Sequence, residues 1–266
     1  MLRLLSVILM FAAGSAQAAD QIRMAVTTSF HNSGLADVLL PAIRADLNLD
    51  VQLLVVGTGQ ALRLGRAGDV DAILVHSRDA EDAFVAEGFS THRREIMYND
   101  FVIIGPVDDP ASVADATGAV DALSRIAASE ALFVSRGDDS GTHKKEVNLW
   151  NDVGGVPDAD WYNEVGAGMG AALNTSVGLR AYILSDRASW LNFGNKGDLA
   201  LLYAGDPVLF NQYAFLAVNP EKHAHVKADL AAKLEVWLTS DRAQNLIDSY
   251  TIDGETLFVF NAEPRQ

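Results

Sequence analysis

No cysteine occurs in the chain, so disulfide bridges are excluded and stability has to come from a buried apolar core. Positive charge is scarce too. Twenty Lys and Arg face 35 Asp and Glu, a formal net charge of -15, which argues against nucleic acid or an anionic lipid surface as partner. A small anion is not excluded, because helix dipoles and one buried arginine set the potential inside a pocket whatever the outer surface carries. Long apolar runs are missing after the first 18 residues, so no later segment reads as membrane-embedded. Disorder is excluded as well, since 49% of the residues are hydrophobic.

The one long apolar run stands at the start. Arg3 precedes "LLSVILMFAAG", and Ala16-Gln17-Ala18 has the A-x-A form of a signal-peptidase site. Residues 1–18 are therefore expected to be a cleaved signal peptide, too short to persist as a spanning helix, and the mature chain to be exported. Removing 18 of 266 residues leaves 248, near the ~250-residue limit for one core, so one large domain or two lobes both fit.

Short apolar runs alternate with amphipathic ones, the pattern of an α/β fold with largely parallel strands. Expected strands are "IRMAVT", "VQLLVV", "DAILVH", "DFVIIG", "ALFVS" and "YAFLAV". Near the C-terminus, Val226, Leu230, Leu234, Trp237 and Leu238 recur at helical spacing and predict a core-facing helix. Two segments read as crossings between lobes, "MYNDFVIIGP" around Tyr98 and "GDPVLFNQYAF" around Tyr213. They predict a two-lobed clamshell, each lobe a mostly parallel sheet flanked by helices. Lobe 1 is then discontinuous, 19–97 with 213–266, and lobe 2, 98–212, is inserted.

Three strand ends share one chemistry. "TTSFHNSG" follows the first strand, "GTGQ" the second and "SRGDDSGTH" the fifth, each a run of hydroxyl and glycine residues leading into a helix. In parallel α/β lobes such junctions gather at the carboxyl ends of the strands, where ligands bind. Free backbone N–H groups and a partial positive charge of ~0.5 mark helix N-termini. Taken singly, each junction is also an ordinary N-cap. Together with Arg136 they describe a site rich in donors, poor in acceptors and suited to a small oxyanion.

Other chemistries lack their residues. A serine-hydrolase elbow needs Gly-x-Ser-x-Gly, but Asp138 and Thr142 flank Ser140 at those positions, and His143 sits on the same predicted helix. No Gly-Lys-Ser/Thr ending supplies a nucleotide phosphate loop, and neither "GTGQAL" nor "GAGMG" completes a dinucleotide fingerprint. Only His223 and His225 of the six histidines are close in sequence, so no metal site is expected.

With these residues set out, "SRGDDSGTHKKE", "VGTGQALRLG", "MYNDFVIIGP" and "LYAGDPVLFNQYAFLAVNP" resemble the tungstate-binding proteins of ABC importers, a branch of the type II periplasmic binding proteins, over nearly the whole mature chain. The resemblance implies a monomeric periplasmic clamshell without enzyme activity or cofactor. It would hold tungstate or molybdate as the oxyanion, without direct metal coordination, and deliver it to a permease with its ATPase. Carried over motif by motif, the ligand set is Thr27, Thr28 and Ser29, then Thr58, then Ser135, Arg136, Ser140, Gly141 and Thr142. The first motif departs from the family's longer threonine run and following acidic residue, with Val26 before Thr27 and Phe30-His31-Asn32 after Ser29. His31 would add a donor at acid pH.

Two roles are open to Asp138 and Asp139: orienting Arg136 or capping the helix, or accepting a proton from the ligand. The second would suit hydrogen phosphate, which makes a phosphate- or sulfate-binding protein the nearest alternative. An exported phosphate- or sulfate-ester hydrolase is a further one, against which stands the lack of paired metal ligands or a base beside the cradle.

Overall fold

The computed structural model describes residues 19–263. The expected leader, 1–18, lies outside the described residues. The chain begins β1 (Asp20–Thr27), α1 (Thr28–Asn32), α2 (Leu35–Leu47), β2 (Leu49–Val56), α3 (Thr58–Ala67), β3 (Ala72–Val75) and α4 (Arg78–Ala86). A long strand, β4 (Arg94–Pro106), leads into α5 (Ala119–Ala128), β5 (Phe133–Ser135), α6 (Gly141–Val153), β6 (Tyr162–Glu164) and α7 (Met169–Leu179). Then come β7 (Tyr182–Asp186), α8 (Arg187–Asn192), β8 (Leu199–Tyr203) and β9 (Phe210–Ala217). Last are α9 (Ala228–Leu238), α10 (Asp241–Asp248) and three two-residue strands, β10 (Thr251–Ile252), β11 (Glu255–Thr256) and β12 (Val259–Phe260).

The strands are ordered β2-β1-β3-β9-β4-β7-β5-β6, with β8 and β12 also paired to β4. Strand β1 lies parallel to β2 and β3, and β5 parallel to β6 and β7. The two crossing strands run against them. Strand β4 pairs antiparallel with β9 from Arg94 to Asp100 and with β7 from Phe101 onward, so one 13-residue strand serves both halves of this two-lobed α/β fold.

Period-2 alternation sorts each strand between two cores. Ile22, Met24 and Val26 of β1 pack into one cluster with α2 and α9, while Ala25 faces Leu62, Ile73 and Phe84. In the second half Phe101 and Ile103 meet Phe133, Trp150 and Tyr182, while Val102 and Ile104 meet Leu173 and Trp190. All six expected strands are present. The C-terminal helix starts at Ala228, so Val226 precedes it and packs in the cluster around Phe84, apart from Leu234, Trp237 and Leu238. Periodicity cannot tell a helix residue from a loop residue that happens to fall on the same spacing.

Candidate functional site

Because β1, β2 and β3 are parallel, they end on one edge of their sheet, and β5, β6 and β7 do the same in the second half. Between these ends lies a cavity of about 620 Å³. From the first half it is walled by Thr28, Ser29 and Asn32 of α1 and by Gly57, Thr58, Gly59, Gln60 and Arg63 at the start of α3. From the second half come Arg136, Asp138, Asp139 and Ser140 before α6, Gly168 to Ala171 at the start of α7, and Asp186 and Ser189 around the start of α8.

Of the sequence-predicted ligands, Thr28, Ser29, Thr58, Arg136 and Ser140 stand in this wall. Thr27 stands behind it as the N-cap of α1, its Oγ1 accepting from Phe30 N at 3.3 Å and lying 3.0 Å from Ser29 Oγ. Ser135 is fully buried at the end of β5. Ser140 is the N-cap of α6 and accepts from His143 N at 3.2 Å, so the two residues after it already follow the helix away from the cavity. Thr142 is buried, and Gly141 faces a separate cavity of about 260 Å³ beside His76.

Two donors in the wall have no partner among the described residues. Thr58 Oγ1 is buried and unbonded, and so is Arg136 Nε. An unsatisfied buried donor costs about 1–3 kcal/mol, so each needs an acceptor that the protein does not provide. Backbone N–H groups at the starts of α3 and α7 add to the same polarity.

The carboxylates in the wall correct the expectation of a site almost free of acceptors. Asp138 accepts from Arg136 Nη2 through Oδ2 and from Ser140 N at 3.2 Å through Oδ1, so it both orients the arginine and closes the turn. Burial works to raise its pKa, but the Ser140 hydrogen bonds and the Arg136 charge outweigh it and hold the carboxyl below its usual range. Asp139 instead pairs with Lys144 at 3.5 Å. Asp186 caps α8 by accepting from Ser189 N at 2.8 Å, and burial raises its pKa despite that bond.

Behind Ser135 and Arg136 lies Glu146, which accepts from Tyr162 OH at 2.7 Å. Burial pushes it from 4.5 up to about 7, so the native state holds this proton more tightly than the unfolded chain. The stability it contributes is complete below about 4.5 and lost as pH rises through about 7. Glu146→Gln keeps an acceptor for Tyr162 without the charge. We expect it to match the parent near pH 5 and to exceed it at pH 8 by on the order of 3 kcal/mol, read from thermal unfolding at both pH values. An equal gain at both would assign the slope to another group.

Several wall residues escaped the sequence reading. Arg63 is a second cation, held by Gln60 Oε1 through Nε at 3.0 Å and Nη2 at 2.7 Å, where only Arg136 was expected. The segment "GAGMG", set aside as a failed nucleotide fingerprint, starts α7 at the cavity. "AYILSDRAS" has the same strand-then-hydroxyl form as the three recognised junctions, and reading "AYIL" as a strand would have revealed Asp186 and Ser189. Among the described residues no cluster of three or more His, Asp or Glu fits a metal. His223 and His225 donate to the carbonyls of Arg66 and Gly68 at 2.8 and 2.9 Å, a structural use of the pair.

An interlobe cavity carrying orphaned donors from both halves is now in place, and the PBP superfamily domain matches residues 12–242. The tungstate-binding protein TupA of Peptoclostridium acidaminophilum is 42% identical over 250 residues, 92% of this chain and 87% of that protein. The chain belongs to the PBP superfamily and, within it, to the family of tungstate-binding proteins. Among solved structures of this family, the tungstate-binding protein TupA of Desulfovibrio alaskensis is 43% identical with a TM-score of 0.85, covering 92% of this chain and 100% of that one. The tungstate ABC transporter structure from Geobacter sulfurreducens is 48% identical with a TM-score of 0.81, over 88% of this chain and 100% of that one. These PBP relatives carry the names of transport proteins. No helix among the described residues is long and apolar enough to cross a membrane.

Proposed function

We propose that this chain is the solute-binding component of an ABC importer. It captures tungstate, with molybdate as a second ligand, in the cavity between its lobes and hands the anion to a permease with its ATPase. Export by the segment 1–18 places it in the periplasm, where it works as a monomer without cofactor or catalytic turnover. The lobes are 19–97 with 213–266, and 98–212. The reading is carried by the orphaned donors Thr58 Oγ1 and Arg136 Nε, which belong to residues lining one cavity from opposite halves of the fold. A charge-assisted hydrogen bond contributes about 1.5–3 kcal/mol, so six to eight of them meet the ~12 kcal/mol of nanomolar binding after ordering costs.

A cavity of about 620 Å³ is far larger than one tetrahedral anion, so contact from both lobes requires closure about β4 and β9. Small-angle scattering should show the particle contract on saturation with tungstate. Identical profiles with and without the anion would remove the clamshell mechanism. Elemental analysis of the purified protein tests the ligand itself, since a tight binder retains its tungsten or molybdenum. One observation favours a second reading: Asp186, a buried carboxyl in the wall, would suit a ligand that carries a proton, such as hydrogen phosphate.

A further inference from the structure

We propose that His76 is a positioning residue for the cavity: its ring donates from Nε2 to Ser29 Oγ and so turns the Ser29 proton toward the bound oxyanion. The inference rests on the reading of the cavity as an oxyanion site. It begins with one crowded hydroxyl. Ser29 Oγ lies 3.0 Å from Thr27 Oγ1, 3.0 Å from His76 Nε2 and 3.1 Å from Tyr213 OH, and Ser29 stands in the cavity wall. A hydroxyl has one proton to give and two lone pairs. Thr27 and Tyr213 are hydroxyls that can act either way, so the imidazole decides the direction of the whole set.

The ring is neutral at pH 7. Burial, with the Arg136 charge acting in the same direction, pushes its pKa down to about 4. A neutral imidazole has one proton to place on one of two nitrogens. Nδ1 is buried with no hydrogen-bond partner among the described residues. The Asn211 side chain and the carbonyl of His76 itself lie beside the ring and favour a proton on it, but neither meets Nδ1 in hydrogen-bond geometry. A proton on Nδ1 would have only these poorly aligned neighbours, and buried donors without a formed bond are tolerated less than under-used acceptors. On Nε2 the same proton meets Ser29 Oγ.

Packing holds the ring to this arrangement. His76 follows β3, its centroid 4.8 Å from that of Tyr213, and the backbone of α6 presses on its other side at Gly141. A Cβ at position 141 would stand 2.6 Å from His76 Cε1, so glycine is required there by the histidine. With His76 donating, and Tyr213 or Thr27 filling the second lone pair, Ser29 has no acceptor left for a ligand. Only its proton is left to offer, shared between the remaining hydroxyl and the ligand, which favours fully ionised tungstate and opposes the proton of hydrogen phosphate.

Two measurements test this. Ring ¹⁵N chemical shifts of His76 in the parent protein report the tautomer directly. Nε2–H is expected with and without tungstate, and Nδ1–H in the tungstate-saturated protein overturns the proposal. Calorimetry with tungstate and phosphate then compares His76→Gln, which keeps an N–H donor, with His76→Phe, which keeps the ring alone. We expect His76→Gln within about threefold of the parent, and His76→Phe about tenfold weaker for tungstate with a narrowed preference over phosphate. If His76→Phe weakens both anions equally, or leaves both unchanged, the ring is packing and nothing more. If His76→Phe does not fold, the Gln variant and the tautomer decide alone. A parent that fails to bind tungstate at all would sink the proposed function, a result separable from any of these.

Discussion

Replacing Arg136 by alanine is expected to weaken tungstate binding by about 2–5 kcal/mol. Arg136 is 9% exposed, its Nη2 is held by Asp138, and its Nε has no partner among the described residues. Removing the guanidinium takes away the main counter-charge for a dianion and also leaves the Asp138 carboxylate, already in the wall, facing that dianion. The second effect makes the variant worse than the loss of hydrogen bonds alone. An Arg136→Ala/Asp138→Asn double variant should therefore recover part of the loss. Lysine should rescue only partly, since an ammonium cannot hold Asp138 with one nitrogen while presenting another to the ligand. Titration calorimetry of the four proteins measures this. If Arg136→Ala binds as tightly as the parent, the arginine stands outside the working site.

The second large effect is selectivity. Tungstate and molybdate should bind far more tightly than phosphate or sulfate, for two reasons. Hydrogen phosphate carries a proton that would face Arg136 Nε and helix N–H groups, an opposition of donors that costs about 1–3 kcal/mol or more. Sulfate carries none but is smaller, and cannot meet donors on both lobes at once. Each oxygen of Asp138 already accepts one hydrogen bond, from Arg136 and from Ser140, which turns the carboxylate toward the arginine and leaves one lone pair apiece. Asp186 is the most buried of the three wall carboxyls and has one oxygen accepting from Ser189 N, which makes Asp186→Asn the informative control. Four anions titrated at neutral pH in phosphate-free buffer test the ranking. Phosphate binding as tight as tungstate overturns it, and loss of that binding in Asp186→Asn would name the proton acceptor.

How much of this was legible in the chain depends on how local the causes are. Thr28, Ser29, Thr58, Arg136 and Ser140 could be picked out as candidates, and they line the cavity, because each sits within a few residues of an apolar strand and a helix start, and backbone dipoles act over that distance. Fold class was legible for the same reason, since alternation of period 2 with period 3.6 is a local property. Direction within a junction was not. Gly141 and Thr142 are adjacent to Ser140 in sequence, yet the first helical turn carries them off the wall, one against His76 and the other into the core. Arg63 reads as any exposed helical arginine, and α7 and α8 as any helices. The sheet order β4-β7-β5-β6 decides that they face the same space as Thr58, and it is set by long-range pairing of β4 with β9 and β7 that no window of neighbouring residues contains. His76 is the extreme case: a residue ending a buried strand acquires its role only because Ser29, Tyr213 and Gly141, from three distant segments, are packed around one ring.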